Sequence, residues 1–141
     1  MKTQKTTKVI KVICIVVAVV IAAGLIQLGR YEYVKKYKIA PIDSSASADG
    51  NYELIFQSVG EADRPFGTSH ARLVLKQDGK DVTKYKLDVK NDGKDLCADN
   101  WQVTWKDSLV EVLIFGEEQP DALYTLSFDG TVITEPAEET E

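Results

Sequence analysis

The only histidine of the chain, His70, closes an irregular stretch, GEADRPFGTSH (60–70), that also carries Arg64, Phe66 and Ser69. A histidine can move protons or bind a metal, a serine can be a nucleophile, and an arginine can hold an anion. These residues do not add up to a catalytic pair. Ser69 and His70 are adjacent, and at the start of a strand adjacent side chains point to opposite faces. No Gly-x-Ser-x-Gly elbow, phosphate loop or Cys-x-x-Cys pair accompanies them. The stretch is read as a candidate partner-contact loop comprising Arg64, Phe66, Ser69 and His70, with Phe66 as a docking or insertion residue at the tip of a polar loop. The competing reading is a small hydrolase or metal-dependent enzyme using His70, which requires a concave pocket beside it lined by at least two more polar groups. The sequence predicts a protein that is not an enzyme.

Asp-Gly-Lys-Asp occurs twice, at 78–81 and 92–95. A calcium loop needs several oxygens converging on one ion, and neither copy matches the EF-hand pattern. Both are expected to be hairpin turns. One histidine excludes a multi-histidine metal site within one chain, and two cysteines exclude a Cys-rich zinc module. Cys97, beside Leu96 and Ala98, reads as buried and inert, although an exposed lone thiol outside the cytoplasm can link two chains. GEEQPDA (116–122) offers an acidic rim or a solvated connection between strands. No metal and no cofactor is expected.

Charge is divided along the chain. Residues 1–38 carry eight Lys/Arg against one acid, and residues 39–141 carry nine against 21, giving the formal net charge of −5 over 141 residues. A basic end before an acidic body suggests a membrane-proximal segment and a separate domain. The acidic body argues against nucleic-acid binding, which needs a positive surface. Residues 12–28 (VICIVVAVVIAAGLIQL) hold no charge and one amide, Gln27. Seventeen residues make a helix of about 26 Å, slightly short of the roughly 30 Å hydrocarbon core, and Lys11 and Arg30 can snorkel outward to cover the difference. The apolar run continues past the small residues Ala22-Ala23-Gly24, so it reads as an uncleaved signal-anchor. The short N-terminal tail (1–11) is placed in the cytoplasm and the C-terminal part outside it. Tyr31, Tyr33 and Tyr37 suit the outer interface.

Residues 29–50 are expected to be a juxtamembrane segment and a flexible linker, because DSSASADG (43–50) is small, polar and without apolar spacing. Residues 135–141 are expected to be an acidic disordered tail. Between them, 51–134 shows period-two alternation cut by turn signals. Leu54 and Phe56, Leu73 and Leu75, Leu87 and Val89, Trp101 and Val103, and Leu126 and Phe128 each alternate with polar neighbours. LVEVLIF (109–115) is apolar almost throughout and predicts a central strand covered on both faces. Asp78-Gly79, Asp92-Gly93 and Asp129-Gly130 supply tight turns. Seven strands follow, at about 52–59, 70–76, 82–89, 95–105, 109–116, 122–128 and 131–134. The fold class is all-β: a small antiparallel meander forming a sandwich or a partly open barrel, preceded by one N-terminal transmembrane α-helix. Trp101, Trp105, Phe56, Tyr85 and Phe128 are the expected aromatic anchors of its core.

The set Phe66-Gly67, Asn91-Asp92-Gly93, Trp101-Gln102-Val103-Thr104-Trp105 and Phe115-Gly116 followed by Glu117-Glu118-Gln119 resembles small single-pass membrane-anchored envelope proteins of Gram-positive bacteria. The soluble parts of those proteins are short β-domains without assigned activity. The resemblance implies membrane anchoring and an all-β fold, and carries over no catalytic or ligand residues. The expected function is that of a membrane-tethered extracytoplasmic β-domain, a binding or structural module at the cell envelope. Its expected partners are the lipid bilayer and another envelope or membrane protein.

Overall fold

The computed structural model describes residues 2–136. The chain divides into two units, 1–35 and 36–141. Helix α1, Lys2–Tyr37, is continuous for 36 residues, about 54 Å. Its apolar side chains from Val9 to Leu28 are exposed on all sides. A helix without a polar face and without protein packing needs an apolar surrounding. Among the described residues it is the one helix long and apolar enough to cross a membrane or to serve as a signal sequence. The juxtamembrane segment is helical through Tyr37.

The second unit is built of strands β1 (Ile39–Ala46), β2 (Tyr52–Val59), β3 (Thr68–Gln77), β4 (Lys80–Lys90), β5 (Trp101–Trp105), β6 (Leu109–Gly116), β7 (Gln119–Ser127) and β8 (Val132–Pro136). They form two four-stranded sheets, in the orders β1-β2-β3-β4 and β5-β6-β7-β8. Every ladder is antiparallel and joins consecutive strands. Among the described residues no backbone ladder closes the sheets into a barrel. The inward faces meet in one core in which Leu54, Phe56, Leu73, Val110, Val112 and Ile114 are fully buried.

Several sequence expectations are corrected. Residues 43–46 are not a tether but the second half of β1, paired with β2 from Asp43↔Phe56 to Ala46↔Glu53. The polar composition misleads because β1 is an edge strand with few side chains to bury. The β-unit therefore begins near Ile39 and has eight strands. The single meander is two meanders. Asp92 and Gly93 do take positive φ (53° and 67°), but they begin a crossover between the sheets and do not make a hairpin. Residues 94–100 carry no apolar alternation, so β5 starts only at Trp101, after a 3-10 turn at Ala98–Asn100. β6 is central but covered on one face: Val110, Val112 and Ile114 are buried and the residues between them are half-buried. A two-layer fold has no third layer to cover the outer side. β8 extends to Pro136, so Glu135 and Pro136 of the expected tail are strand; 137–141 lie outside the described residues.

Two bulges aim the side chains. In β1 the register changes between Pro41↔Gln57 and Asp43↔Phe56, leaving Ile42 as the extra residue. Past it, Asp43 and Ser45 share the face of Phe56 and Leu54 and look toward the second sheet. In β4 the register changes between Lys76↔Asp81 and Leu75↔Thr83, leaving Val82 extra. That shift places Ala71 opposite Leu87 and His70 opposite Asp88.

Side chains bridge both open seams. At β1/β5 the Trp101 indole N–H donates to Asp43 Oδ2 and the Trp105 indole N–H to Ser45 Oγ, each at 2.9 Å. At β4/β8 the Tyr85 hydroxyl lies 3.2 Å from Thr134 Oγ1. The end of β4 is hooked by the two-residue Glu117-Glu118 turn: Lys90 N–H donates to Gln119 Oε1 (2.7 Å), and Glu118 N–H donates to Lys90 O (3.1 Å). The two edges of the first sheet are also guarded. β1 carries Pro41 beside its bulge, and β4 carries Lys80, Lys84, Lys86 and Lys90, features that disfavour strand addition.

Candidate functional site: a loop platform at one end of the sheets

The β2–β3 loop, the β4–β5 crossover and the β6–β7 turn come together at one end of the sheets. Gly60 N–H donates to Lys38 O (2.8 Å) at the start of the loop, and Asp63 N–H donates to Thr68 O (2.9 Å) across it. Ala62 is buried at its base. Two close approaches require glycine, one inside the loop and one where the loop lies on the crossover. A Cβ on Gly67 would collide with the backbone of Asp63, and one on Gly93 with the carbonyl of Pro65. Gly93 N–H donates to Gly67 O at 2.9 Å.

Buried polar bonds stiffen the crossover from beneath. Ser69, 3% exposed, donates through its hydroxyl to Lys94 O at 2.6 Å. Asn91, also buried, donates to the same carbonyl at 3.4 Å. Asn100 Nδ2 donates to Phe115 O at 3.1 Å, tying the crossover to β6. On the surface, Lys94 Nζ sits 2.6–2.7 Å from both oxygens of Glu117, and that contact raises the lysine's pKa. Arg64 lies 3.2 Å from Asp95.

The four candidate residues have different fates. Phe66 is 76% exposed at the tip of this backed loop. Arg64 is exposed and paired. Ser69 faces inward and holds the crossover, so it is not a surface contact. His70 faces outward, as the opposite-face argument requires. Its Nδ1 lies 2.7 Å from Asp88 Oδ1 and its Nε2 3.3 Å from Asp63 Oδ2. The hydrogen bond to Asp88 raises the His70 pKa above its ordinary value; burial opposes it, and the negative charges of Asp88 and Asp63 add smaller upward effects. Sequence reasoning missed both carboxylates. Asp88 was within reach through the register of the β3–β4 hairpin, whereas nothing in the spacing of Asp63 marks it.

In this arrangement each ring nitrogen of His70 faces a carboxylate. The two carboxylates stand on opposite sides of the ring, so they do not converge with it on one ion. Among the described residues, no group of three or more His, Cys, Asp or Glu side chains is arranged to hold a metal. A cavity of about 370 Å³ is lined by Gln77, Asp78, Lys80, Asp81 and Val82, at the far end of β3 from His70. The Asp-Gly-Lys-Asp pairs are engaged elsewhere: Asp81 binds Lys84 (2.7 Å), Lys94 binds Glu117, and Asp95 binds Arg64. Cys97 is exposed, contrary to expectation, because the crossover that carries it has no apolar face of its own.

Comparison with protein-family models, with curated proteins and with solved structures returns no match.

Proposed function

We propose that this chain is a membrane-tethered extracytoplasmic β-domain that works as a binding module at the cell envelope, with the 60–67 loop as its contact surface. The observation that carries this reading is Phe66, exposed on a loop whose backbone is fixed by Gly67, Gly93 and the buried Ser69. A large aromatic held out on a rigid support loses little conformational freedom on binding, and such residues dominate interface energetics. The apolar helix supports tethering, and tethering raises the effective concentration of a partner in the same membrane even when each contact is weak. The partner class is another envelope or membrane protein. Edge-strand addition to the first sheet is a poorer mode, given the guarded edges of β1 and β4.

Two experiments test the reading. A photo-crosslinking residue at position 66 of the full-length protein in its native membrane should capture a discrete protein adduct, and the same group at Asp107, in the β5–β6 connection, should not. Equal adducts at both positions, or none at 66, would remove the loop from the reading. A membrane-impermeant maleimide should label Cys97 in intact cells, because that thiol is exposed while Cys14 lies in the apolar run. Labelling only after lysis would place the domain on the cytoplasmic side.

A further inference from the structure

His70 bridges two elements. Asp88 belongs to β4 and stands directly opposite it in the β3–β4 ladder; Asp63 belongs to the loop that presents Phe66. An imidazolium has a proton on each nitrogen and can donate to both carboxylates at once. A neutral imidazole has one proton, so one nitrogen then turns a lone pair toward a carboxylate oxygen. The Asp88 contact is the shorter, at 2.7 Å against 3.3 Å, so the neutral ring keeps Asp88 and gives up Asp63.

We propose that His70 is a proton-operated clamp on the β2–β3 loop: the protonated ring fastens the Asp63 side chain to the outer face of the first sheet, and the neutral ring releases that side chain, leaving the loop to its backbone bonds alone. The clamp follows from the loop geometry alone and stands whether or not a partner meets Phe66.

The other groups around the ring do not replace it. On β3 the next residue on the same face is Arg72, whose Nε donates to Gln57 Oε1 of β2 at 2.6 Å. On β4, Lys86 and Lys90 flank Asp88 two residues away on either side, opposite Arg72 and Thr68. In the loop, Arg64 is turned to Asp95 of the crossover. On β2 the residue beside Ser58, the partner of Ala71, is the apolar Val59. His70 is thus the cation that joins Asp63 to Asp88. The linkage agrees in sign. A histidine with a raised folded-state pKa contributes stability that is fully present below its ordinary value of about 6.5 and is lost as pH rises through the raised value.

The test uses the full-length protein in detergent micelles. His70 is the only histidine, so one imidazole signal reports its titration by NMR. Its midpoint should lie above that of a free histidine, and Asp63→Asn and Asp88→Asn should each lower it. Amide exchange at Asp63, Arg64 and Phe66, corrected for intrinsic rate, should quicken about two- to fivefold as pH rises through that midpoint, the range an exposed ion pair supports. His70→Gln should abolish the step. Exchange that stays flat across the His70 titration, a step that survives in His70→Gln, or an Asp63→Asn variant that leaves the midpoint unmoved would each overturn the clamp. The wild-type titration and exchange profile decide the matter even if a variant fails to fold.

Discussion

The indole N–H of Trp101 donates to the carboxylate of Asp43 across 58 residues of chain and from one sheet to the other. Trp101 is 8% exposed, so this N–H has little water to turn to. Asp43→Ala should therefore cost about 1–3 kcal/mol, the usual penalty for leaving a buried donor unpaired. Asp43→Asn, which keeps an acceptor, should cost less. Urea unfolding of the full-length protein in micelles, followed by tryptophan fluorescence, measures both.

Ile42 makes that contact possible, since the extra residue in β1 turns Asp43 and Ser45 toward the second sheet. Deleting Ile42 should reverse the faces of β1 beyond it, because a one-residue slip inverts every side chain. The deletion should destabilise the domain more than Asp43→Ala and Ser45→Ala combined. Comparing the midpoints of the deletion and the double variant is the check.

Ser69 and Phe66 should separate stability from binding. Ser69→Ala removes a 2.6 Å bond from a buried hydroxyl and leaves Lys94 O with only the longer 3.4 Å contact from Asn91, so a loss of about 1–2 kcal/mol is expected. Phe66→Ala removes an exposed side chain and should change stability by less than about 0.5 kcal/mol. If Phe66→Ala unfolds the domain, the side chain belongs to the core and not to a contact surface.

The acid limb of stability should come from turn carboxylates. Thr131 N–H lowers the Asp129 pKa, the Ser47 hydroxyl lowers that of Asp49, and Lys84 lowers that of Asp81. A depressed folded-state pKa gives stability that is present above the ordinary value of about 3.8 and is lost as pH falls through the folded value. Thermal midpoints should therefore decline below about pH 4. Asp129→Asn should flatten part of that decline while lowering the midpoint at neutral pH. An unchanged acid limb in the variant would take Asp129 out of the account.

Most strands were legible because one face of each meets a single core. Leu54 and Phe56, Leu73 and Leu75, and Leu87 and Val89 all point where alternation put them. β1 was hidden because its inward groups, Asp43 and Ser45, are polar and find indole donors across the seam, not apolar neighbours. The Val82 bulge was legible and overlooked. The Asp78-Gly79 turn pairs Gln77 with Lys80, which sets odd positions of β3 against even positions of β4. The alternating core residues Ala71, Leu73 and Leu75 of β3 and Tyr85, Leu87 and Val89 of β4 are odd-numbered, so one extra residue has to intervene. Counting it would have put Asp88 beside His70. Asp63, held by loop geometry, leaves no such trace.

Because each ladder joins strands that follow one another in sequence, every pairing closes over a short stretch of chain. Such contacts form quickly, whereas docking the two sheets brings together residues distant in sequence and is expected to come last. The Trp101–Asp43 bridge belongs to that last event. Its loss should show up mainly as faster unfolding, with refolding nearly untouched, in a stopped-flow chevron of Asp43→Ala.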